Sequence, residues 1–175
     1  MRNVVLYIAM SLDGYIADAG GRVDWLSAAG GDADGAGYSA FIDGVDTVVM
    51  GWNTYEQIVT ELSPGAWAYP QLTSYVITHR PLPPTGSIHF VNSDPCSIVQ
   101  RLKHKPGKSI WICGGRTIIH PLMREGVIDQ YRISIIPTIL GAGIPLFGAL
   151  PNEIKLRLTH AQTSFGITQL CYTRI

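Results

Sequence analysis

The sequence predicts an α/β protein whose sheet is mostly parallel and gains antiparallel strands at one edge. Three observations predict it. Short apolar runs rich in β-branched residues recur along the first part of the chain and alternate with helical stretches. These runs are continuous rather than alternating, as expected of strands covered on both faces. The C-terminal third is strand-like, without helices between its segments.

The elements follow in order. "VVLYIAM" (4–10) reads as a buried strand. "SLDGYIADAGGRVDWL" carries turn signals at Asp13-Gly14 and Gly20-Gly21. "GGDADGAG" is a loop, and "YSAFIDGV" a short helical segment with Phe41 inward. "DTVVMG" is a second buried strand, and "NTYEQIVTEL" a helix with Ile58, Val59 and Leu62 as its apolar positions. "TSYVIT" (73–78) and "SIHFV" (87–91) are the third and fourth strands, separated by the Pro-rich "HRPLPPTG". Ser93 or Asp94 can cap the next helix, with Pro95 at its first position. "SIWIC" (109–113) is a fifth strand. "GGRTIIHPLMREG" is a helix ending near Gly126, in which Pro121 removes a hydrogen bond and predicts a kink or an early stop. "DQYRISIIPTIL", "KLRLTHAQTSF" and "ITQLCYTRI" close the chain as strands, the last two parted by Gly166.

A chain of 175 residues fits one domain, spanning 1–175. With 46% hydrophobic and 15% charged residues it can bury a sizeable core. Thirteen basic and thirteen acidic side chains cancel, so no footprint for nucleic acid or an anionic membrane is expected. Cys96, Cys113 and Cys171 are widely spaced and form no CxxC, which argues against a disulfide framework or structural zinc. The five histidines are scattered, so no metal site is expected. The N-terminus lacks the features of a signal peptide, and no run approaches the roughly 20 apolar residues of a membrane span. A cytoplasmic location is the default expectation.

Three stretches bear on chemistry. In "VVMGWNTYEQI" a strand ends at Gly51 and a helix opens at once. Such a start leaves N–H groups unpaired and favours an anion at the sheet edge. Gly51 lets a phosphate approach, and Asn53 or Thr54 can cap or add bonds. The plainer alternative is a tight turn needing Gly for backbone shape alone. "SIWICGGRTII" repeats the logic at Gly114-Gly115. Two such turns on one edge could grip a diphosphate. In "YVITHRPLP", Thr78, His79 and Arg80 stand where a strand runs out, a set suited to a phosphate monoester. Arg80 can equally be a solvated charge. Trp25, Trp52, Trp67 and Trp111 read as core or pocket wall, with Trp67 over the substrate side. Cys113 reads as a buried thiol rather than a nucleophile, with no basic partner apparent.

These stretches, with "IAMSLDGYIAD", "VDWL" and "IDQYRISIIPTILGAGIPLF", resemble the dihydrofolate reductase-like family, in particular its branch related to the reductase domain of bacterial riboflavin biosynthesis. The resemblance runs nearly end to end. It implies a three-layer fold around an eight-stranded, mainly parallel sheet, with NADPH as hydride donor. It places Ala9 and Ile16 beside the nicotinamide. Gly51, Trp52, Asn53 and Thr54 would meet phosphates at one helix start, and Gly114, Gly115, Arg116 and Thr117 at the other. Thr78, His79 and Arg80 would hold the 2′-phosphate. Many relatives carry Arg where this chain has Trp52, which could stack on adenine or cover the cofactor. Asp32 or Asp34 falls near the position of the catalytic carboxylate of dihydrofolate reductases, though either can equally be a solvated loop residue; Asp13 of "SLDG" is an alternative whose simpler role is in the turn. Trp25, Tyr38 and Trp67 are candidate substrate contacts. The implied activity is reduction of a C=N or C=O bond in a dihydrofolate-like or ribosylamino-pyrimidinone-like molecule. The alternative is a ligand-binding protein of the same fold without turnover. "IIPTILGAGIPLF" is a candidate contact of a homodimer. Arg22 and Arg124 are candidates for a substrate phosphate.

Overall fold

The computed structural model describes residues 1–29 and 35–175. Asp32 and Asp34 therefore lie outside the described residues. Eight strands form the central sheet in the order β5-β4-β3-β6-β1-β7-β10-β9. They are β1 (Val4–Ser11), β3 (Val45–Gly51), β4 (Thr73–Ile77), β5 (Ile88–Val91), β6 (Ser109–Gly114), β7 (Gln130–Ile136), β9 (Leu156–Ser164) and β10 (Ile167–Arg174). The first six pair in parallel; β10 runs antiparallel to β7 and β9. A small second sheet joins β2 (Tyr15–Ala17) to β8 (Ile144–Pro145).

Helices cover both faces. One core gathers Ile98, Val99 and Leu102 of α3 (Pro95–Lys103) with Ile118, Ile119, Leu122 and Met123 of α4 (Arg116–Arg124). They pack on Val4, Leu6, Ile110 and Ile112 of the sheet. The opposite core sets Phe41 of α1 (Gly35–Asp43) and Ile58 against Val5, Tyr7, Val48, Met50 and Trp111. Successive strand residues thus feed opposite cores, which explains the unbroken apolar runs.

Local chemistry sets the helix boundaries. Asp94 caps α3: its carboxylate accepts the Ser97 N–H at 2.8 Å, and Pro95 follows at the first turn. α2 (Trp52–Gln57) widens over Ile58–Leu62 into a π-type turn, closed by the Ser63 N–H donating to the Ile58 carbonyl at 2.7 Å. Pro121 lies inside α4, which runs on to Arg124. Burial of Ile118, Ile119, Leu122 and Met123 outweighs the hydrogen bond that Pro121 cannot make.

Ion pairs tie the amino edge of the sheet. Lys103 Nζ meets Asp129 at 2.9 Å, and Asp129 also accepts the Val4 N–H at 2.8 Å. Arg2 pairs with Asp46 and donates to the Thr47 hydroxyl at 2.8 Å. No helix among the described residues is long and apolar enough to cross a membrane.

Tyr131 is 2% exposed, and its hydroxyl has no hydrogen-bond partner among the described residues. Burial pushes its phenol up to about 12. The folded state therefore keeps this proton when the unfolded chain begins to lose it near pH ~10. The stabilising contribution is intact below that range and is lost as pH climbs toward about 12. Tyr131→Phe removes an unpaired hydroxyl and is expected to hold or raise stability by about 1 kcal/mol at pH ~8. The gain should widen on the alkaline side. Urea denaturation of both proteins at neutral and alkaline pH checks this, and a marked loss in the Phe variant would mean that the hydroxyl has a partner.

Candidate active site

A cleft of about 1620 Å³ opens along the carboxyl edge of the parallel strands. Residues near or at the ends of five strands line it: Ala9 (β1), Gly51 (β3), Ile77 (β4), Gly114 (β6) and Ile136 (β7). Crevices at this edge are where open α/β sheets bind ligands.

Two helix starts meet there. β3 and β6 are parallel neighbours, with Met50 opposite Gly114, so α2 and α4 begin side by side. A Cβ on Gly51 would sit 3.2 Å from Ile118 Cγ1 and 3.8 Å from Thr117 Oγ1, both on α4. A Cβ on Gly114 or Gly115 would sit 3.5 Å from Thr54 Oγ1 of α2. The Gly114–Gly115 peptide is cis, and Gly114 has φ +144°. Neither helix start has a side-chain cap. Uncapped helix starts leave their first N–H groups without side-chain partners, and the dipole favours negative charge at such ends. Gly51, Trp52, Asn53 and Thr54, together with Gly114, Gly115, Arg116 and Thr117, all line the cleft.

The third predicted stretch lies beside the first. Gly51 pairs with Ile77, so Thr78, His79 and Arg80 leave β4 next to the start of α2. Thr78 is buried, and its hydroxyl accepts the Arg80 N–H at 3.1 Å. His79 lines the cleft and shares a 2.8 Å hydrogen bond with Asn92, just past β5. The Arg80 guanidinium lies 4.2 Å from the Trp52 ring centroid. That face of Trp52 is thus occupied by a side chain of the same molecule.

Ala9 and Ile16 line the inner cleft, where Tyr7, Tyr38, Tyr69 and Trp111 form an aromatic wall. Tyr38 stands 6.0 Å from Tyr7 and 6.3 Å from Trp111 between ring centroids. Tyr69 stands 4.9 Å from Trp111. Trp25 and Trp67 are not among the lining residues; Trp67 Nε1 donates to Ser74 Oγ at 3.1 Å, and the ring packs on Tyr55 and Tyr69. Asp13 also stands outside the lining. It accepts from the Ser11 hydroxyl at 2.6 Å, the Gly141 N–H at 2.8 Å and the Leu140 N–H at 3.1 Å. The Ser11 hydroxyl, with those two N–H groups, holds the Asp13 carboxyl below the usual carboxylate range. Arg22 lines the outer cleft and pairs with Asp18 at 3.3 Å. Arg124 instead lines a separate hollow with Asp94 and Cys96.

Sequence reasoning missed Tyr7, Tyr69 and Asn92 as cleft residues. Asn92 was findable: once β4 and β5 are taken as parallel neighbours, the ends of "YVITH" and "IHFVN" must adjoin. Tyr7 alternates with Ala9 along β1 and shares its face. Tyr69 reaches the cleft from a loop, and no periodic pattern marks it.

Comparison with known proteins gives consistent relationships. The family model described as the RibD C-terminal domain matches residues 2–169. The uncharacterized protein YwjB of Bacillus subtilis is 42% identical over 174 residues, covering 99% of this chain and 98% of YwjB. A crystal structure of a candidate riboflavin biosynthesis protein from Shewanella sp. PV-4 superposes with a TM-score of 0.86 at 31% identity, covering 100% of this chain and 99% of that one. The diaminohydroxyphosphoribosylaminopyrimidine deaminase/5-amino-6-(5-phosphoribosylamino)uracil reductase of Thermotoga maritima shares the fold, with a TM-score of 0.74 at 14% identity. There the match covers 99% of this chain and 57% of that one.

Cys113 lines the inner cleft beside the Tyr69 hydroxyl, at 4.0 Å. Burial pushes its thiol up to about 12. At pH ~8 the thiolate fraction is then on the order of one in ten thousand. Iodoacetamide is expected to leave Cys113 unmodified over a period that labels a free thiol, as read by peptide mass spectrometry. Rapid labelling of Cys113 would contradict the neutral environment derived for it.

Proposed function

The chain belongs to the RibD C-terminal domain family, and on that premise we propose that it is a reductase carrying hydride from NADPH to a C=N or C=O bond of a small heterocycle. The observation that carries the reading is the convergence of two uncapped, glycine-led helix starts from adjacent parallel strands. The donor set fits a dinucleotide. Thr54 stands between the two turns, 3.5 Å from the Cβ positions of Gly114 and Gly115. Exposed N–H groups and short hydroxyls suit a diphosphate, which brings charge and many acceptors but needs close backbone approach. Thr78, His79 and Arg80 lie one strand further out, where a 2′-phosphate would reach. Ala9 and Ile16 give the nicotinamide an apolar seat, and the aromatic wall faces a flat substrate across it.

Bound there, the dinucleotide supplies hydride. The chain's own work is positional. The helix starts anchor the phosphates, and β1 sets the depth of the ring at Ala9. Tyr7, Tyr38 and Trp111 press a planar substrate against it and exclude water from that side. The substrate is a dihydrofolate-like or ribosylamino-pyrimidinone-like heterocycle. A second reading, binding without turnover, is favoured by one observation: the Asp13 carboxylate is committed to the 140–141 loop.

The decisive experiment is thermal shift with NADPH, followed by loss of reduced-nicotinamide absorbance with dihydrofolate and a panel of pyrimidinones and pterins. Binding with turnover is expected. Binding without turnover across the panel would select the second reading, and absence of NADPH binding would overturn both. Thr54→Val removes one hydroxyl at nearly constant volume. It is expected to weaken NADPH binding about tenfold, since hydrogen bonds to charged groups are worth about 1.5–3 kcal/mol.

We also propose that the chain works as a homodimer joined near the cleft mouth. Ile139 is 70% exposed and Phe147 46% exposed, on the segment after β7. Sedimentation should give twice the chain mass. Paired substitution Ile139→Asp and Phe147→Asp should halve it, and a monomeric unmodified protein would remove the proposal.

A further inference from the structure

The Trp52 ring is held on more than one side. Tyr55 packs at 5.3 Å and Phe90 at 6.3 Å between centroids, and the indole N–H is buried. Above it lies Arg80, which is exposed and takes part in no ion pair among the described residues. Trp52 is the first residue of α2, and Arg80 follows the end of β4, the strand paired with β3. The contact therefore joins the helix start to the neighbouring strand exit.

Stacking uses the face of a guanidinium. Its five N–H donors lie in the plane and point outward from the edge. An arginine held this way loses side-chain freedom while its hydrogen-bonding edge stays available. Below it, the Arg80 N–H bonds the Thr78 hydroxyl at 3.1 Å, which tightens the backbone that carries the side chain. His79, turned to Asn92 at 2.8 Å, lines the cleft alongside. A phosphate monoester arriving at this corner meets a cation already oriented, with a smaller ordering cost than a free arginine imposes. Arg80 covers one face of Trp52, whose ring itself lines the cleft beside His79.

Resting on the NADPH reading above, we infer that Trp52 is a positioning residue that presents Arg80 to the 2′-phosphate and so sets the preference for NADPH over NADH. The effect is confined to ligands bearing that phosphate. A merely structural tryptophan would weaken every nucleotide alike.

Calorimetric titration with 2′,5′-ADP and ADP, alongside NADPH and NADH, tests this without any turnover. The unmodified protein is expected to prefer 2′,5′-ADP and NADPH. Arg80→Ala should lower that preference about tenfold or more. Trp52→Leu should lower it about three- to tenfold, with ADP and NADH affinities unchanged. Once Arg80 is Ala, removing Trp52 should cost nothing further in preference. Trp52→Phe keeps a ring and should lose about twofold; it decides the matter where the Leu variant does not fold. Equal weakening of ADP and 2′,5′-ADP by the Trp52 variants would overturn the inference, as would an unchanged preference in Arg80→Ala. Dinucleotide binding with no preference in the unmodified protein would also overturn it while leaving the reductase reading standing. Failure to bind either dinucleotide would remove both.

Discussion

The cleft depends on the parallel alignment of β3 with β6, which sets Met50 opposite Gly114. Two strands running the same way and ending at one height must release their helices at the same edge. Both helix dipoles then point their positive ends into one gap. The spacing is close enough that side chains would interfere. A methyl on Gly51 would press on Ile118 at 3.2 Å. Glycine there serves packing between β3 and α4 as much as approach by an anion. A side chain there would require Ile118 to give way, since only glycine leaves its present position undisturbed.

The two faces of the sheet divide the remaining work. Beneath α3 and α4 the core is mainly aliphatic, with Leu6, Ile110, Ile112, Ile119 and Leu122 nearly inaccessible. Beneath α1 and α2, aliphatic side chains such as Val48, Met50 and Val76 surround a cluster of rings. Phe41 stacks on Tyr7 at 4.6 Å and meets Trp111 edge-on at 5.5 Å. Trp111 donates its indole N–H to the Tyr7 carbonyl at 3.0 Å, which fixes both strands of the wall. Aliphatic packing is adaptable in shape, whereas stacked rings present flat surfaces at set angles. The aromatic face is the one that continues into the cleft, so the wall shape is determined by the core behind it.

The fold was legible because its strands are buried on both sides. "VVLYIAM", "DTVVMG" and "SIWIC" could be read as strands, and the ends differ by a residue or so from β1, β3 and β6. Asp94 and Pro95 marked α3 because capping is local chemistry. Elements that depend on distant partners were not legible. β2 and β8 are three and two residues long and exist through pairing with each other. Pro121 argued for a kink or an early stop in α4; the helix does not stop there but runs on to Arg124. In the site, the glycine turns were readable because backbone donors demand glycine nearby. The direction of Trp52, Trp67 and Tyr69 was not, since an aromatic residue fits a core, a wall or a platform equally well.

That difference bears on where the proton of a reduction would come from. A group that protonates substrate must hold a proton near neutral pH and be able to release it. Asp13 is ill suited, because the Ser11 hydroxyl and two loop N–H groups favour its ionised form. Cys113 has the opposite fault: with its thiol pushed up to about 12, it keeps its proton too firmly. The cleft's other polar groups include the helix-start donors and the carboxylates of Glu56, Glu61 and Asp94. Hydride delivery needs little more than orientation, and water at the open side of the cleft can complete the reduction. On the reductase reading, a site built this way would leave a strong imprint in sequence where it grips a cofactor and a weak one where it does chemistry.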